Sequence, residues 1–481
     1  MGVAQSREPA RTGEVLAWTL LSAIAPGAGH LRAGWRRTGL VLLGLYAALL
    51  LGAFLLYLNA DGDLFGAATE YLQTIAAGAL LLGAGWFVMI VHTYVAFRPG
   101  RLPQGAQILT GTLAGLLAVA MITPFVVVAN TAWTTESGLN AIFAPSTPQP
   151  QAEQQGRPVD PWAGRKRVNI LLLGGDADTH RTGVRTDSMN LASVDVASGN
   201  TVLMSLPRNL ENVRFRPGTP MAGRFPGGFR LPADPGGGRS DLLNSVWEYA
   251  DAHPEIFGGK THQGAKVLMD TIGYTLGVKV DWYALVNMWG FAKLIDAIGG
   301  VTITVETDVV FGKFNEGLVK AGTRKLNGGD AMWYARSRTY SDDYTRMRRQ
   351  RCVIAALLDQ ADPATVLTRF NKIALATKEL LRTDIPRDVL KHLVPLALKV
   401  KNGKVTSIQF VPPLIHTGYP DWEKIRQISA KAIRDSVAQR PAVATAGPSA
   451  APTGTAAAPA TPKPRKSSDS TKSLGDGCGV L

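Results

Sequence analysis

VNILLLGGDADTHRTGVRTDSMNLASVDVASGNTVLMSLPR, residues 168–208, decides how the rest of the chain is read. The apolar run at 168–173 has the length of a buried strand; Gly174-Gly175 ends it and releases a polar loop that holds Asp176, Asp178, Arg181, Arg185 and Asp187. Residues 189–196 and 201–206 are rich in Val, Leu and Ser and flank Ala-Ser-Gly-Asn, so they read as a hairpin whose second arm delivers Pro207 and Arg208. Carboxylates and guanidiniums are thereby gathered at the ends of neighbouring strands. A hard cation takes carboxylate oxygens and a phosphate takes the planar fork of Arg, so this mixture suits a metal ion and a phosphate held side by side.

Downstream, strand-like and helix-like stretches alternate, which predicts an α/β domain over residues 165–439 with helices on both faces of a sheet. The Gly/Pro-rich passage 216–238 is expected to be a loose loop, either disordered or a lid over the ionic cluster. Ser240 is the expected cap of a helix that runs to Ala252 and stops at Pro254. A second helix is expected over 262–276, a strand over 282–286, a helix over 288–298 and a strand over 301–305. Leu268, Ile272, Phe291 and Ile295 read most simply as core, with enclosure of a lipid chain as the alternative.

A second charged constellation lies in LNGGDAMWYARSRTYSDDYTRMRRQR, residues 326–351. A short helix over 327–334 is expected to present Arg336 and Arg338 in an extended segment, where alternate residues point the same way and both guanidiniums can grip one diphosphate. A longer helix from about Asp343 carries Arg346, Arg348, Arg349, Gln350 and Arg351, with Arg346 and Gln350 on one face and Tyr344, Met347, Ile354 and Leu358 on the packing side. Any one of these arginines read alone is more simply a solvated surface residue.

Upstream, residues 38–58, 74–97 and 106–129 contain no Asp, Glu, Lys or Arg and each reaches the roughly 20 residues that cross a bilayer as a helix. Three transmembrane helices are therefore expected within a membrane anchor over 1–130. Arg32, Arg36 and Arg37 precede the first span and Arg98 and Arg101 follow the second, whereas the intervening loop carries Asp61, Asp63 and Glu70. Basic loops stay cytoplasmic, which places the N-terminus inside and the large domain outside a multi-pass cell-membrane protein. The run at 15–25 is too short to span and reads as an interfacial helix rather than a cleaved signal. Residues 131–164 read as a linker and 440–481, rich in Ala, Pro, Thr and Ser, as a disordered tail. The net charge of +14 would raise nucleic acid as a partner, but the outward topology excludes it. The two cysteines, Cys352 in an expected helix and Cys478 in the tail, support neither a disulfide framework nor a zinc site. The final Cys-Gly-Val-Leu resembles a prenylation box only superficially.

GGDADTHRTGVRTD with LPRN, LNSVWEYA, the run at 264–305 and LNGGDAMWYARSRTYSDDYTRMRRQ resemble, in this order, the blocks of the LytR-CpsA-Psr family, actinobacterial-like, across roughly residues 168–359. The resemblance implies a mixed central sheet flanked by helices, with an apolar tunnel for a prenyl chain. It implies a phosphotransferase that moves a glycopolymer from a polyprenyl-diphosphate carrier to peptidoglycan with Mg²⁺ or Mn²⁺. By the same resemblance Asp176 and Asp187 hold the metal, Arg185, Arg208, Arg336 and Arg338 grip the diphosphate, and Arg346, Arg349 and Gln350 bind substrate. Asn209 stands where the family usually has Asp; Asn can orient a hydroxyl but cannot take its proton. Three spans also depart from the single span commoner in the family. Asp178 and His180 are candidate bases or a solvated loop pair. The rival functions are a diphosphate hydrolase acting on the same carriers and a non-catalytic envelope lipid sensor. HExxH, GxSxG and GxxxxGK[ST] are absent.

Overall fold

Long runs of Leu, Ala, Val and Gly without charge leave the backbone as its own best hydrogen-bond partner, and the N-terminal part of the chain is accordingly helical throughout its described length. The computed structural model describes residues 11–59, 71–143, 162, 164–176, 184–235, 238–361, 381–438, 472–476 and 478. It falls into two units, residues 1–140 and 141–481.

The first unit contains α1 (Thr12–Ile24), α2 (Ala28–Arg32), α3 (Arg36–Asn59), α4 (Leu72–Ala96) and most of α5 (Gln104–Ile142). Helices α3, α4 and α5 are long and apolar enough to cross a membrane, and α1 is too short. Their outward surface is apolar, with Leu40 63%, Leu81 75% and Leu116 62% exposed, which is the surface a bilayer would solvate. Helix α5 continues past residue 129 through the first part of the expected linker. That stretch has no proline, and Thr134 and Ser137 donate back to the carbonyls of Asn130 and Trp133 at 2.8 and 3.0 Å instead of diverting the backbone.

In the second unit a seven-stranded mixed sheet has the order β11-β10-β3-β2-β1-β4-β9. The strands are β1 (Arg167–Asp176), β2 (Arg185–Asp195), β3 (Thr201–Leu206), β4 (Trp282–Asn287), β9 (Leu381–Thr383), β10 (Val405–Gln409) and β11 (Lys472–Ser473). β1 pairs antiparallel with β2 and parallel with β4, and β3 pairs parallel with β10. β1 does not stop at the glycine pair. It runs through to Asp176 with a register shift between Gly174 and Gly175, a bulge that carries the strand end on to pair with Arg185.

Both faces of the sheet are covered, which is why residues 170–173 of β1 and 202–204 of β3 run apolar without alternation, although β2 keeps polar residues. Leu171, Leu173, Met189, Leu191, Met204 and Leu285 point to one face, against Leu268 and Ile272 of the helix Gly264–Leu276 and Ile425 of the helix Trp422–Ala438. Leu172, Ala192 and Leu203 point to the other, against Ile354, Ala355 and Leu358 of the helix Asp343–Gln360. Two small two-stranded antiparallel sheets, β5 (Val301–Val305) with β8 (Gly322–Leu326) and the intervening hairpin β6 (Val309–Phe311) with β7 (Gly317–Val319), pack on a satellite core around Ile295, Tyr334 and Val353.

Three expectations are corrected here. Residues 216–235 are neither a lid nor loose: they contain a short helix, Pro220–Arg224, and bury Phe215, Met221, Phe225 and Phe229, so aromatic burial holds a Gly/Pro-rich segment in place. Phe229 meets Phe215, Phe225 and Tyr249 edge-on at 5.2–5.8 Å and is fully buried. Phe229→Ala is therefore expected to cost about 3–5 kcal/mol in chemical unfolding of the detergent-solubilised chain. Ser240 caps no helix; its hydroxyl donates to Asp234 at 2.8 Å, and the helix it was expected to start is Val246–Ala252, preceded by a single 3-10 turn.

The third correction is at the cysteines and the tail. Cys352 and Cys478 form a disulfide, with Cα atoms 5.2 Å apart. β11 pairs antiparallel with β10, Leu474 is buried against Leu203 and Ala355, and Arg351 Nη2 donates to the Asp476 carbonyl at 2.5 Å. Residues 472–476 and Cys478 thus form an ordered clasp on the sheet edge, and the Cys478 sulfur is not free for a lipid. Residues 439–471 lie outside the described residues.

Candidate active site

Gly174 and Ala284 put almost no side chain on this part of the sheet, and the helices above it do not collapse into the gap. A cavity of about 260 Å³ results. Its walls are Leu172 and Val286 of the sheet, Met288 and Phe291 of the helix Met288–Ala297, Met332 and Ala335 of the helix Gly328–Arg336, and Val353 and Ile354 of the helix Asp343–Gln360. Phe291, expected in the core, lines this space, while Leu268, Ile272 and Ile295 are core as expected. The polar groups on its wall include Asp187, Arg336, Arg346 and Gln350.

One carboxylate collects the arginines. Asp342 caps its helix by accepting from Thr345 N at 2.7 Å, which holds the Asp342 carboxyl below the usual carboxylate range. Asp343, one residue inside, is turned toward the site. It accepts from Arg208 Nε at 3.2 Å and Arg346 Nη2 at 3.0 Å, and Arg338 Nη1 lies at 3.8 Å. Arg208 uses its other edge on Asp187, Nη1 to Oδ1 at 2.7 Å, so its guanidinium bridges two carboxylates. Arg346 is only 3% exposed, and its Nε has no partner among the described residues. Burial holds Arg346 below the usual guanidinium pKa, while Asp343 and Asp187 pull it back. The Nε atom is sealed off, but the Arg346 side chain lines the cavity, where its positive charge favours an anion.

The other expected site residues fall as follows. Arg185 opens β2, opposite Asp176 in the register, and its Nε donates to Glu248 at 2.9 Å. Arg336 is not in an extended segment: Asn327 caps its helix by accepting from Asp330 N, and Arg336 is the last helical residue, lying over the Trp333 ring at 5.6 Å with Nη1 directed at Met288 Sδ. Gln350 lines the cavity and donates to the Ala335 carbonyl at 3.2 Å. Arg349 is absent from the cavity lining; it is buried, lies over Tyr334 and donates to the Ser337 carbonyl at 3.2 Å, so it holds the turn between Arg336 and Arg338. Asn209 Oδ1 is buried without a described partner. Asp178 and His180 lie outside the described residues, and no group of three metal-ligating side chains occurs among those described.

Sequence reasoning missed Asp343 and Glu248. Asp343 carried a usable signal, an acidic residue three before Arg346 in a helix. Glu248 carried none, since it meets Arg185 across 63 residues of chain.

The LytR_cpsA_psr family model matches residues 140–413, more than half of the chain. The chain belongs to that family. Among curated proteins it is 28% identical over 304 residues to "Probable cell wall biosynthesis protein LcpB" of Corynebacterium glutamicum, covering 62% of this chain and 63% of that protein. It is 29% identical over 233 residues to "Polyisoprenyl-teichoic acid--peptidoglycan teichoic acid transferase TagU" of Halalkalibacterium halodurans, covering 47% of this chain and 63% of that one. The matched region thus spans less than two thirds of each relative's own length. Among solved structures, "Crystal structure of B. subtilis TagV" aligns with TM-score 0.40 and 21% identity over 57% of this chain and 99% of that one.

Proposed function

We propose that the chain transfers a phosphate-linked glycopolymer from a polyprenyl-diphosphate carrier to peptidoglycan, leaving a phosphodiester. The observation that carries this reading is the placement of Arg336 and Arg346 on the wall of an apolar cavity, with Asp187 beside them. An anion there meets two guanidiniums, and the apolar wall suits a hydrocarbon tail attached to that anion. The relatives named as a teichoic acid transferase and a cell wall biosynthesis protein support the same class of donor and acceptor.

In this reading Arg346 and Arg336 on the cavity wall, Arg208 and Arg338 beside Asp343, and Arg185 at the start of β2 hold the diphosphate oxygens. A sugar hydroxyl of peptidoglycan attacks in line at the phosphorus bearing the glycan. The bond from that phosphorus to the bridging oxygen breaks, and polyprenyl phosphate leaves. Positioning and neutralisation of phosphate charge carry most of such a step. Asn209 can orient the hydroxyl but cannot take its proton; the described groups at the mouth able to do so are the carboxylates Asp187 and Asp343. Mg²⁺ would suit this chemistry, because it is usually held by one or two carboxylates plus substrate phosphates; Asp187 on the cavity wall would supply one, and the family resemblance assigns Asp176, whose side chain lies outside the described residues, as the second. Bound there, the ion would neutralise diphosphate charge.

The arginine-rich flanks of the apolar helices favour an outward catalytic domain, and the Cys352–Cys478 disulfide favours an oxidising compartment for it. The test uses the full-length chain in detergent with a short-chain polyprenyl-diphosphate glycan, Mg²⁺ and peptidoglycan fragments, with products resolved by mass. A glycan-phosphate adduct that disappears in Arg338→Ala and after chelation, and returns with Mg²⁺, supports the transferase. Cleavage without adduct on any acceptor replaces it with a hydrolase, and intact bound lipid replaces it with a lipid-binding role. Ala335→Phe, which fills the cavity, is expected to raise KM about tenfold for long-chain donors relative to the shortest one in the same assay.

A further inference from the structure

The geometry points to Glu248 as the positioning residue for Arg185 at the donor diphosphate. This rests on the reading above and names a part of that same site. Glu248 Oε2 takes the Nε edge of Arg185 at 2.9 Å, and among the described residues no partner occupies the two terminal amino groups. The guanidinium is therefore held by its side and offers its fork, the edge that meets phosphate oxygens two at a time. Arg208, by contrast, spends both kinds of donor on Asp187 and Asp343.

Glu248 is itself held firmly. It lies in the first turn of the helix Val246–Ala252, between buried Val246, Trp247 and Ala250. The 3-10 turn before that helix is tied by its backbone to the second arginine: Asn244 N donates to the Arg208 carbonyl at 3.1 Å and Leu243 N to the Leu210 carbonyl at 3.0 Å. One short segment thus fixes the side chain of Arg185 and the backbone of Arg208. The ion pair is a poor stability device, with side chains 39% and 30% exposed, because pairs this open to water contribute little to folding. Its effect is expected at the site, where a misplaced phosphate contact weakens binding and turnover together.

Full-length wild type, E248A, E248Q, R185A and E248A/R185A are compared by kcat and KM for the polyprenyl-diphosphate glycan and by affinity for inorganic pyrophosphate. E248A is expected to raise KM for the donor and weaken pyrophosphate binding, each about tenfold, with kcat lowered less. E248Q, which keeps an acceptor for Nε, is expected to recover part of the loss, and the melting temperature of E248A to stay near that of wild type. The double variant is expected to be no worse than R185A. Additive losses in the double variant, or tighter pyrophosphate binding by E248A because the carboxylate merely competed for Arg185, overturn the assignment. If wild type transfers no glycan, the proposed function fails, and the pyrophosphate series alone decides the role of Glu248.

Discussion

Asp343→Ala is expected to lower kcat/KM for glycan transfer at least about a hundredfold and to destabilise the second unit at the same time. The carboxylate is the common neighbour of Arg208, Arg338 and Arg346, so its loss misplaces three candidate diphosphate ligands together. Arg208 keeps Asp187, but Arg346, with a side chain only 4% exposed, loses its ion-pair partner in a place water hardly reaches. Breaking such a pair by removing one partner costs up to about 3–5 kcal/mol, because the remaining charge is buried uncompensated. Asp343→Asn separates the two effects. It keeps the shape and a hydrogen-bond acceptor, so stability is expected to recover in part while turnover stays low, since the amide cannot balance three guanidiniums. Steady-state kinetics and chemical unfolding on the two variants read this directly, and wild-type kcat/KM in Asp343→Ala would remove the hub from the mechanism.

The second large effect is expected from the disulfide. Cys352→Ala/Cys478→Ala opens a loop of 126 residues, for which the chain-entropy estimate gives about 4–5 kcal/mol of lost stability. Thermal unfolding of wild type with and without reductant should reproduce the same difference. A variant that unfolds at the wild-type temperature would mean that the β10–β11 pairing and the Arg351 contact hold the clasp without the covalent bond. The activity of the reduced chain is informative too, because Cys352 is two residues beyond Gln350 on the helix that carries Arg346.

What the sequence could and could not reveal follows the range of the interactions involved. The hairpin arm at 201–206, the strand at 301–305 and the helix starting at Asp343 were legible because local periodicity and caps dictate them. The gathering of Arg208, Arg336, Arg338 and Arg346 near Asp187 was legible through the family resemblance and the chemistry of mixed charges. The packed passage around Phe225 and Phe229 was not, because its Gly and Pro content masks three-dimensional burial of widely spaced aromatics. Arg349 reads from sequence like its neighbours, and only the placement of the Ser337 carbonyl distinguishes it. The disulfide had no local signature, since two cysteines far apart in sequence resemble two unrelated thiols.

The clasp also sets an order of events. The helix bearing Arg346 is synthesised well before its covalent partner, because 126 residues separate Cys352 from Cys478. At ribosomal speeds of about 5–20 residues per second, roughly 6–25 s pass between the two cysteines leaving the ribosome. β11 arrives at the end of that interval. Until β11 arrives, the helix bearing Arg346 lacks its covalent tie and is held only by its own packing. The covalent tie on that helix thus waits for Cys478, and an oxidant acting early finds Cys352 alone.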